Sequence, residues 1–226
     1  PLDPDIPSDR LAFILSDSGA KCLLTLSGLA GESFDRKLRL DADAAEISSY
    51  PDTRIPRQET GTTTQDLCYA IYTSGTTGRP KGVLIEHGSA AHLVRAEQKL
   101  YGVNAADRVF QFASVAFDAS VEEIWMAFSN GAALIVGTKD LLRAGPEFSQ
   151  KLTDLGVTFF SCVPTFLAML EQDIPTVRTL VLGGEVCPAQ MIARMVTNSL
   201  LPITVGKSAA PFPVDRVRLR SATGRG

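Results

Sequence analysis

The sequence lacks the features that membrane, nucleic-acid-binding and disulfide-bonded proteins require. The longest apolar run, "GAALIVG" at 131–137, is only as long as a strand, whereas a membrane-spanning helix needs roughly 20 residues. Neither sign of charge dominates, because 22 Lys and Arg face 25 Asp and Glu, for a net charge of -3. This balance gives no electrostatic support for binding nucleic acid or an anionic membrane. The expected partners are therefore small molecules or other proteins.

Histidine and cysteine are also scarce. The two histidines, His87 and His92, lie five residues apart, and no carboxylate or cysteine completes a ligand set, so we predict no metal site on them. The cysteines form no CxxC pair and follow no secretory signal, which predicts buried, reduced thiols and a cytoplasmic location. They are Cys22, Cys68, Cys162 and Cys187.

What the sequence does contain is an alternation of strand-like and helix-like segments. An apolar fraction of 45% over 226 residues is enough to fill a core. Strands separated by single helices predict an α/β fold, layered, with largely parallel sheets flanked by helices. The strand-like runs are "RVFQFAS" at 108–114, "AALIVG" at 132–137, "VTFFSCV" at 157–163 and "TLVLGGE" at 179–185.

The alternation ends near residue 198, where we predict a domain boundary. Residues 1–198 form the predicted folded domain, whereas 199–226 show no sustained periodicity. The final twelve residues carry four arginines against one acid, Asp215. We interpret 199–226 as a disordered basic tail, and the alternative is an edge strand with a weak pattern.

A glycine-rich loop, "YTSGTTGRPKG" at 72–82, joins two predicted strands at 67–73 and 83–87. Glycines let backbone N–H groups approach phosphate oxygens, hydroxyls add donors and a lysine adds positive charge, so the loop has the composition of a polyphosphate site. It is not a Walker loop, because that motif places its lysine directly after a glycine and opens a helix. On composition alone, a flexible surface hairpin is an equal alternative.

The same string resembles the phosphate loop of the adenylate-forming, AMP-binding enzymes, which include acyl-CoA synthetases, luciferases and the adenylation domains of nonribosomal peptide synthetases. The opening "PLDPDIPSDRLAFILSDSGAKCLLT" and the string "FDASVEEIW" at 117–125 resemble motifs of the peptide synthetase branch. The resemblance runs from residue 1 to about 196. It implies the N-terminal fragment of an adenylation domain, whose α/β fold is part of the family's large N-terminal domain.

The resemblance implies a reaction in two steps. An amino acid, ATP and Mg2+ yield an aminoacyl-AMP and pyrophosphate, and the acyl group then passes to the phosphopantetheine thiol of a carrier domain. The implied partners are the amino-acid substrate and the carrier and condensation domains of a parent synthetase. This is ligase chemistry in the biosynthesis of secondary metabolites.

The resemblance also implies site residues by position. Lys81 and Thr73 match catalytic positions, and Asp118 matches the carboxylate that binds the substrate's α-ammonium group. The alternative for Asp118 is a residue that starts a helix and is stabilised by the helix dipole. The implied ATP-phosphate clamp is Thr73, Ser74, Gly75, Thr76, Thr77, Gly78 and Lys81. The implied walls of the amino-acid pocket are Ala119, Glu122, Ser161, Val181 and Gly183.

Glu122 is unusual among these wall residues. By resemblance, adenylation domains often place tryptophan or another uncharged residue at this position. A carboxylate in a buried pocket is costly unless a cation meets it, so Glu122 favours a basic substrate, lysine or ornithine. The alternative is an exposed helical glutamate beside Glu123.

The sequence departs from the family pattern after residue 198. An "NxYGPTE"-like motif, which serves adenine and Mg2+ in the family, is replaced by "LPITVGKSAAPFPVD" at 201–215. We therefore expect the chain to be inactive alone, and a retained intron or a frameshift near Val205 would explain the change. Two other functions stay open. One is an acyl-CoA synthetase fragment, against which Asp118 argues, and the other is a noncatalytic nucleotide-binding remnant.

Overall fold

The chain divides into two units, residues 1–92 and 93–226. The computed structural model of the protein describes residues 1–29, 31, 34–74 and 79–188, together with the backbone of 203–205 and 217–218. Within that part of the chain, no helix is both long enough and apolar enough to cross a membrane. One helix, α4 (His87–Tyr101), begins in the first unit and ends in the second.

The first unit combines short helices with two separate pairs of strands. Its elements are α1 (Ser8–Asp17), β1 (Leu23–Thr25), β2 (Lys37–Arg39), α2 (Ala44–Ile47), α3 (Arg57–Thr60), β3 (Leu67–Ser74) and β4 (Pro80–Glu86). β1 and β2 pair in parallel, whereas β3 and β4 form an antiparallel hairpin. The hairpin confirms that the glycine-rich loop joins two strands. β4 begins three residues earlier than predicted, because its pairing with β3 extends to Ser74 and Pro80.

The second unit is built on a largely parallel sheet. Its elements are β5 (Arg108–Gln111), α5 (Asp118–Ser129), β6 (Ala133–Val136), α6 (Lys139–Leu142), α7 (Phe148–Asp154), β7 (Phe159–Cys162), α8 (Pro164–Met169), β8 (Thr179–Leu182), β9 (Ile203–Val205) and β10 (Val217–Arg218). The strand order is β10-β9-β8-β7-β5-β6, and only the β9–β10 pair is antiparallel. The predicted α/β fold with a largely parallel sheet and flanking helices is confirmed.

Two apolar clusters cover the two faces of this sheet. Alternate residues of one strand point to opposite faces, so Phe159 packs with Met126 of α5, whereas Phe160 packs with Phe148 of α7. All four residues of β8 are buried, as expected for a parallel strand covered on both sides. β7 and β8, whose residues are nearly all buried, therefore form the centre of the sheet.

Most of the predicted tail, 199–226, lies outside the described residues. Within it the structure describes two short strands. β9 pairs in parallel with β8, and β10 pairs with β9 at the edge of the sheet. The domain boundary at 198 and the disorder predicted for the rest of 199–226 stay predictions.

The cysteines are free, but the prediction that they are buried is wrong for most of them. Only Cys162, in the middle of the sheet, is buried. Cys22 is exposed because it precedes β1, a short strand whose residues are half-buried or exposed. Cys68 and Cys187 are half-buried. An apolar neighbourhood in the sequence therefore did not guarantee a place in the core.

An ion pair between the buried Asp107 and the partly exposed Arg178 joins the amino ends of three parallel strands. Asp107, just before β5, is 3% exposed, and its carboxylate accepts hydrogen bonds from Arg178 Nε at 2.6 Å and Thr158 Oγ1 at 2.8 Å. Arg178, just before β8, also donates to the carbonyl oxygen of Gly102 at 3.1 Å. Burial raises the pKa of Asp107, but the hydrogen bonds from Arg178, Asn104 and Thr158 outweigh burial, so the pKa is lowered overall.

Replacing Asp107 should destabilise the second unit. Asp107→Ala leaves Arg178 and Thr158 without their buried acceptor, so we expect the free energy of unfolding at neutral pH to fall by about 2–3 kcal/mol. The difference should shrink as the pH falls through the folded pKa, because a lowered pKa contributes its full stabilisation above the unfolded pKa and loses it as the folded carboxylate is protonated. Urea unfolding followed by circular dichroism measures this, with the exposed Asp173→Ala as control. A neutral-pH loss within about 0.5 kcal/mol, the range of surface substitutions, would contradict it.

Candidate functional site

The β3–β4 hairpin carries the described part of the predicted phosphate clamp. Thr73 lies opposite Lys81 in the antiparallel register, and Ser74 lies opposite Pro80. Thr73, Ser74 and Lys81 are all exposed, so two hydroxyls and one ammonium group are accessible at the end of the hairpin. Such a set can donate to phosphate oxygens. Four further clamp residues lie outside the described residues, and their role stays a prediction: Gly75, Thr76, Thr77 and Gly78.

Tyr72 braces the stem of this hairpin. Its hydroxyl donates to Asp17 Oδ2 at 2.7 Å, which ties β3 to the end of α1. Tyr72 pairs with Gly82 across the hairpin, and a β-carbon on Gly82 would lie 3.1 Å from Tyr72 Cζ. A larger residue at 82 would therefore require the tyrosine ring to shift by a few tenths of an ångström. The last glycine of the loop thus serves the packing of the stem.

α5 begins at the predicted substrate carboxylate. Asp118 is its first residue, and the preceding Phe117 is extended, with φ -113 and ψ 149. Asp118 and Ala119 are exposed, whereas Glu122, one turn further along, is half-buried. A carboxylate in the first turn is stabilised by the helix dipole and is still accessible to a cation. The two interpretations of Asp118 are therefore compatible.

The other predicted wall residues lie together at the carboxyl ends of β7 and β8. Ser161 and Val181 are register partners on these strands. Val181 is 6% exposed and belongs to the cluster that contains Met126 of α5. Gly183 follows β8 and donates its N–H to the carbonyl oxygen of Cys162 at 3.2 Å. A β-carbon on Gly183 would meet nothing within 4 Å, so the backbone there borders open space.

The topology of the sheet explains this grouping. β5, β7 and β8 are parallel, so their carboxyl ends lie at one edge, and the segment 112–117 leads from β5 to Asp118. In open α/β sheets, ligands bind at this edge. The described clamp residues belong to the first unit and the predicted pocket residues to the second.

A threonine and a glutamate at the same edge were not predicted. Glu185 accepts hydrogen bonds from the backbone N–H of Thr165 at 3.2 Å and from its hydroxyl at 2.7 Å. Thr165 lies in α8, after β7, and Glu185 follows β8, so the pair ties together the segments that leave the two strands. Twenty residues separate them, and no local pattern links residues at that distance.

Glu123 is the third residue that the sequence analysis missed. It is 1% exposed, and its Oε2 accepts hydrogen bonds from the backbone N–H groups of Phe112 and Ala113, both at 3.1 Å. Its spacing contains a signal. Ser120 and Ala127, three residues before it and four after it, are also buried, so Glu123 lies on the inner face of α5.

Comparison with known proteins gives a consistent result. A model of the family described as AMP-binding enzyme matches residues 1–203. Tyrocidine synthase 2 of Brevibacillus parabrevis is 35% identical over 231 residues, which cover 97% of this chain and 6% of that protein. Delta-poly-L-ornithine synthetase of Acinetobacter baumannii (strain AB307-0294) is 34% identical over 205 residues, covering 86% of this chain and 14% of that protein. The chain thus spans a small part of the length of these relatives.

Solved structures agree with the sequence comparison. The crystal structure of the nonribosomal peptide synthetase FmoA3 in its AMPPNP-bound form has a TM-score of 0.77 and 29% sequence identity. The match covers 92% of this chain and 23% of that one. The fold of the described residues is therefore that of part of a much longer adenylate-forming enzyme.

Glu123 should make the stability of the second unit depend on pH. Burial raises its pKa from an ordinary value of 4.5 to about 8, although the bonds from Ala113 and Phe112 oppose this. A group whose pKa is raised by folding stabilises the folded state fully below its unfolded pKa and loses this contribution as the pH rises through its folded pKa. The free energy of unfolding should therefore fall between about pH 5 and about pH 8, by at most about 1.4 kcal/mol per pH unit. Glu123→Gln removes the titration and should flatten this slope in urea unfolding across that range. Equal slopes in both proteins would refute the assignment.

Proposed function

The chain belongs to the AMP-binding enzyme family, and from this membership we propose that it carries the ATP-phosphate clamp and the amino-acid pocket of an adenylation domain. Its relatives are nonribosomal peptide synthetases, as the sequence predicted. The proposed reaction joins an amino acid to the α-phosphate of ATP, releases pyrophosphate, and then delivers the acyl group to a phosphopantetheine thiol. Carrier and condensation domains of a parent synthetase are the proposed partners.

The observation that carries the proposal is the exposed end of the β3–β4 hairpin. Thr73 and Lys81 are directly opposite each other, with Ser74 next in line, so hydroxyl donors and a positive charge face solvent from two adjacent strands. A triphosphate presents a row of anionic oxygens to such a surface. Hydrogen bonds from a charged donor to phosphate are about twice as strong as neutral ones. Lys81 would thereby stabilise the negative charge that develops on pyrophosphate as it leaves.

The amino-acid substrate is assigned to the second unit. Asp118 is exposed at the start of α5, where its carboxylate can pair with an α-ammonium group. This pairing would select amino acids over fatty acids, and it argues against an acyl-CoA synthetase. Ser161 and Gly183 at the carboxyl ends of β7 and β8, with Ala119 on α5, would border the substrate side chain.

The implied cofactors fit the described residues unequally. ATP phosphates fit the exposed hydroxyls and ammonium group of the hairpin. In the described ranges, no group of three or more His, Cys, Asp or Glu residues is arranged to hold a metal ion, so we assign no step to Mg2+. Four free cysteines suit a reducing compartment, and a cytoplasmic location is part of the proposal.

ATP binding by the purified chain tests the clamp. Lys81→Ala should weaken ATP binding in calorimetry at least tenfold, because a charged hydrogen bond contributes about 1.5–3 kcal/mol. Inorganic tripolyphosphate should compete with ATP, since the hairpin contacts phosphate rather than base. Lys21→Ala, which removes an exposed lysine of the same unit, is the matched control.

Each outcome of this experiment identifies a different function. ATP binding together with amino-acid-dependent exchange of labelled pyrophosphate into ATP supports adenylation by the chain itself. ATP binding without exchange supports a noncatalytic nucleotide-binding remnant, in line with the missing "YGPTE"-like motif. Binding that Lys81→Ala leaves unchanged contradicts the proposed clamp.

Glu122 makes a basic amino acid the proposed substrate. It is half-buried on α5, one turn beyond Asp118, so its carboxylate could meet a side-chain ammonium group while Asp118 meets the α-ammonium. A partly desolvated carboxylate gains from such a partner. A relative at 34% identity is named as a poly-ornithine synthetase, which is compatible with this choice.

Norleucine provides a sharp test of this substrate class, because it matches the lysine chain without its terminal ammonium group. We expect the chain to bind lysine or ornithine at least tenfold more tightly than norleucine, since a charge-assisted pair is lost. Glu122→Gln should remove most of that preference in calorimetric titrations. Equal affinities of the unsubstituted chain for norleucine and lysine would contradict a pocket that selects basic side chains.

A further inference from the structure

We propose that Glu123 is a positioning residue that holds the segment 112–117 and thereby sets the place of Asp118 for amino-acid binding. The inference rests on the function proposed above for Asp118. It assigns to the inner face of α5 a task that no predicted site residue performs.

The two amides that Glu123 binds lie just beyond the end of a strand. β5 ends at Gln111, which pairs with Val136, and the ladder of the sheet stops there. The next two backbone N–H groups, those of Phe112 and Ala113, point to the Glu123 carboxylate instead of a strand. Buried backbone donors need an acceptor, and in this fold a side chain supplies it.

A series of hydrogen bonds fixes the segment between this anchor and the start of α5. The Gln111 side-chain amide donates to the carbonyl oxygen of Ala113, which fixes the start of the segment. The backbone N–H of Phe117 then donates to the carbonyl oxygen of Ser114 at 2.9 Å, closing a turn. The Ser120 hydroxyl donates to the carbonyl oxygen of Phe117 at 2.7 Å, which joins the turn to α5.

These bonds leave the segment little freedom. At the start of the segment, Glu123 of α5 binds the residues that follow β5. At its end, the Ser120 hydroxyl of α5 binds Phe117, so the segment is tied to the helix at both ends. Asp118 lies at the end of that connection and is exposed. A carboxylate that must meet an ammonium group needs a defined position, because binding geometry depends on the residues that support it.

Burying this acid is unfavourable in itself. A carboxyl group with 1% exposure on the buried face of a helix loses its hydration, which raises its pKa. A leucine or methionine would fill similar space without that cost, but it would leave the two amides without an acceptor. The acid is therefore explained by the segment that it holds rather than by packing.

Two substitutions at position 123 separate holding from packing. Glu123→Leu keeps the volume and removes both acceptor oxygens. Glu123→Gln keeps one carbonyl oxygen, which can still accept from both amides because Oε2 alone accepts both bonds in the parent. Ser149→Ala is the matched control, since it removes another buried hydrogen bond of the second unit, to the carbonyl oxygen of Gln172, away from this segment.

Two measurements on the full chain serve as readouts. Amide hydrogen exchange at Phe112 and Ala113 reports the anchor itself and does not depend on any ligand. Calorimetry with the protein amino acids and ornithine measures the affinity of the amino-acid pocket, and calorimetry with ATP measures that of the phosphate clamp. If Glu123 only stabilised the fold, its replacement would weaken the binding of the amino acid and of ATP together.

We expect Glu123→Leu to speed amide exchange at Phe112 and Ala113 at least tenfold. The same substitution should weaken binding of the amino acid with the highest affinity at least tenfold, whereas the affinity for ATP should stay within about twofold. Glu123→Gln should restore both the protection from exchange and the affinity for the amino acid. Ser149→Ala should leave exchange at Phe112 and Ala113 unchanged and should not weaken amino-acid binding more than ATP binding. Unchanged protection in Glu123→Leu, or an equal loss of ATP affinity, overturns the inference.

The inference and the proposed function can fail separately. If the unsubstituted chain binds no amino acid, the proposed function of the second unit is overturned, and this inference with it. A parent that binds an amino acid while Glu123→Leu binds it equally well overturns only the inference, and the pocket then does not depend on the segment 112–117.

Discussion

The parallel pairing of β5, β7 and β8 is the constraint on which the second unit depends. It sets the carboxyl ends of three strands at one edge of a sheet against which two apolar clusters pack. β7 and β8 are buried along nearly their whole length, as parallel strands usually are. Ser161 near the carboxyl end of β7, Gly183 after β8 and the segment 112–117 that leads from β5 to Asp118 are therefore at the same edge, although they are far apart in the sequence.

The ends of parallel strands also leave backbone groups and charges that need partners. At the amino ends Asp107 and Arg178 form one ion pair, and at the carboxyl ends Glu185 binds Thr165 while Glu123 binds two backbone amides. Of these acids, Asp107 and Glu123 are buried and lose hydration to make their bonds. Burial raises the pKa of both groups, and their hydrogen bonds lower it. For Asp107 the bonds from Arg178, Asn104 and Thr158 outweigh burial, whereas for Glu123 burial outweighs the bonds from neutral N–H groups.

Much of the architecture was readable from the sequence because it rests on local patterns. Apolar runs such as "VTFFSCV" and the helical spacing between them predicted the parallel sheet, and the glycine-rich string predicted a connection between two strands. The pairing of Ser161 with Val181 could not be read in this way, because register depends on the partner strand. The burial of the cysteines was misjudged for the same reason, since burial depends on what packs above a strand.

The candidate site divides along the same line. Its chemical groups, namely the hydroxyls and lysine of the hairpin and the carboxylates of "FDASVEEIW", could be read from the sequence alone, because they are properties of residue types in a string. Packing was needed to show that Glu123 faces inward to the end of β5 while its neighbour Glu122 is half-buried on another face of α5. The physical reason is distance along the chain. A hydrogen bond across ten or eleven residues, or an ion pair across 71, exists only once the fold has brought the partners together.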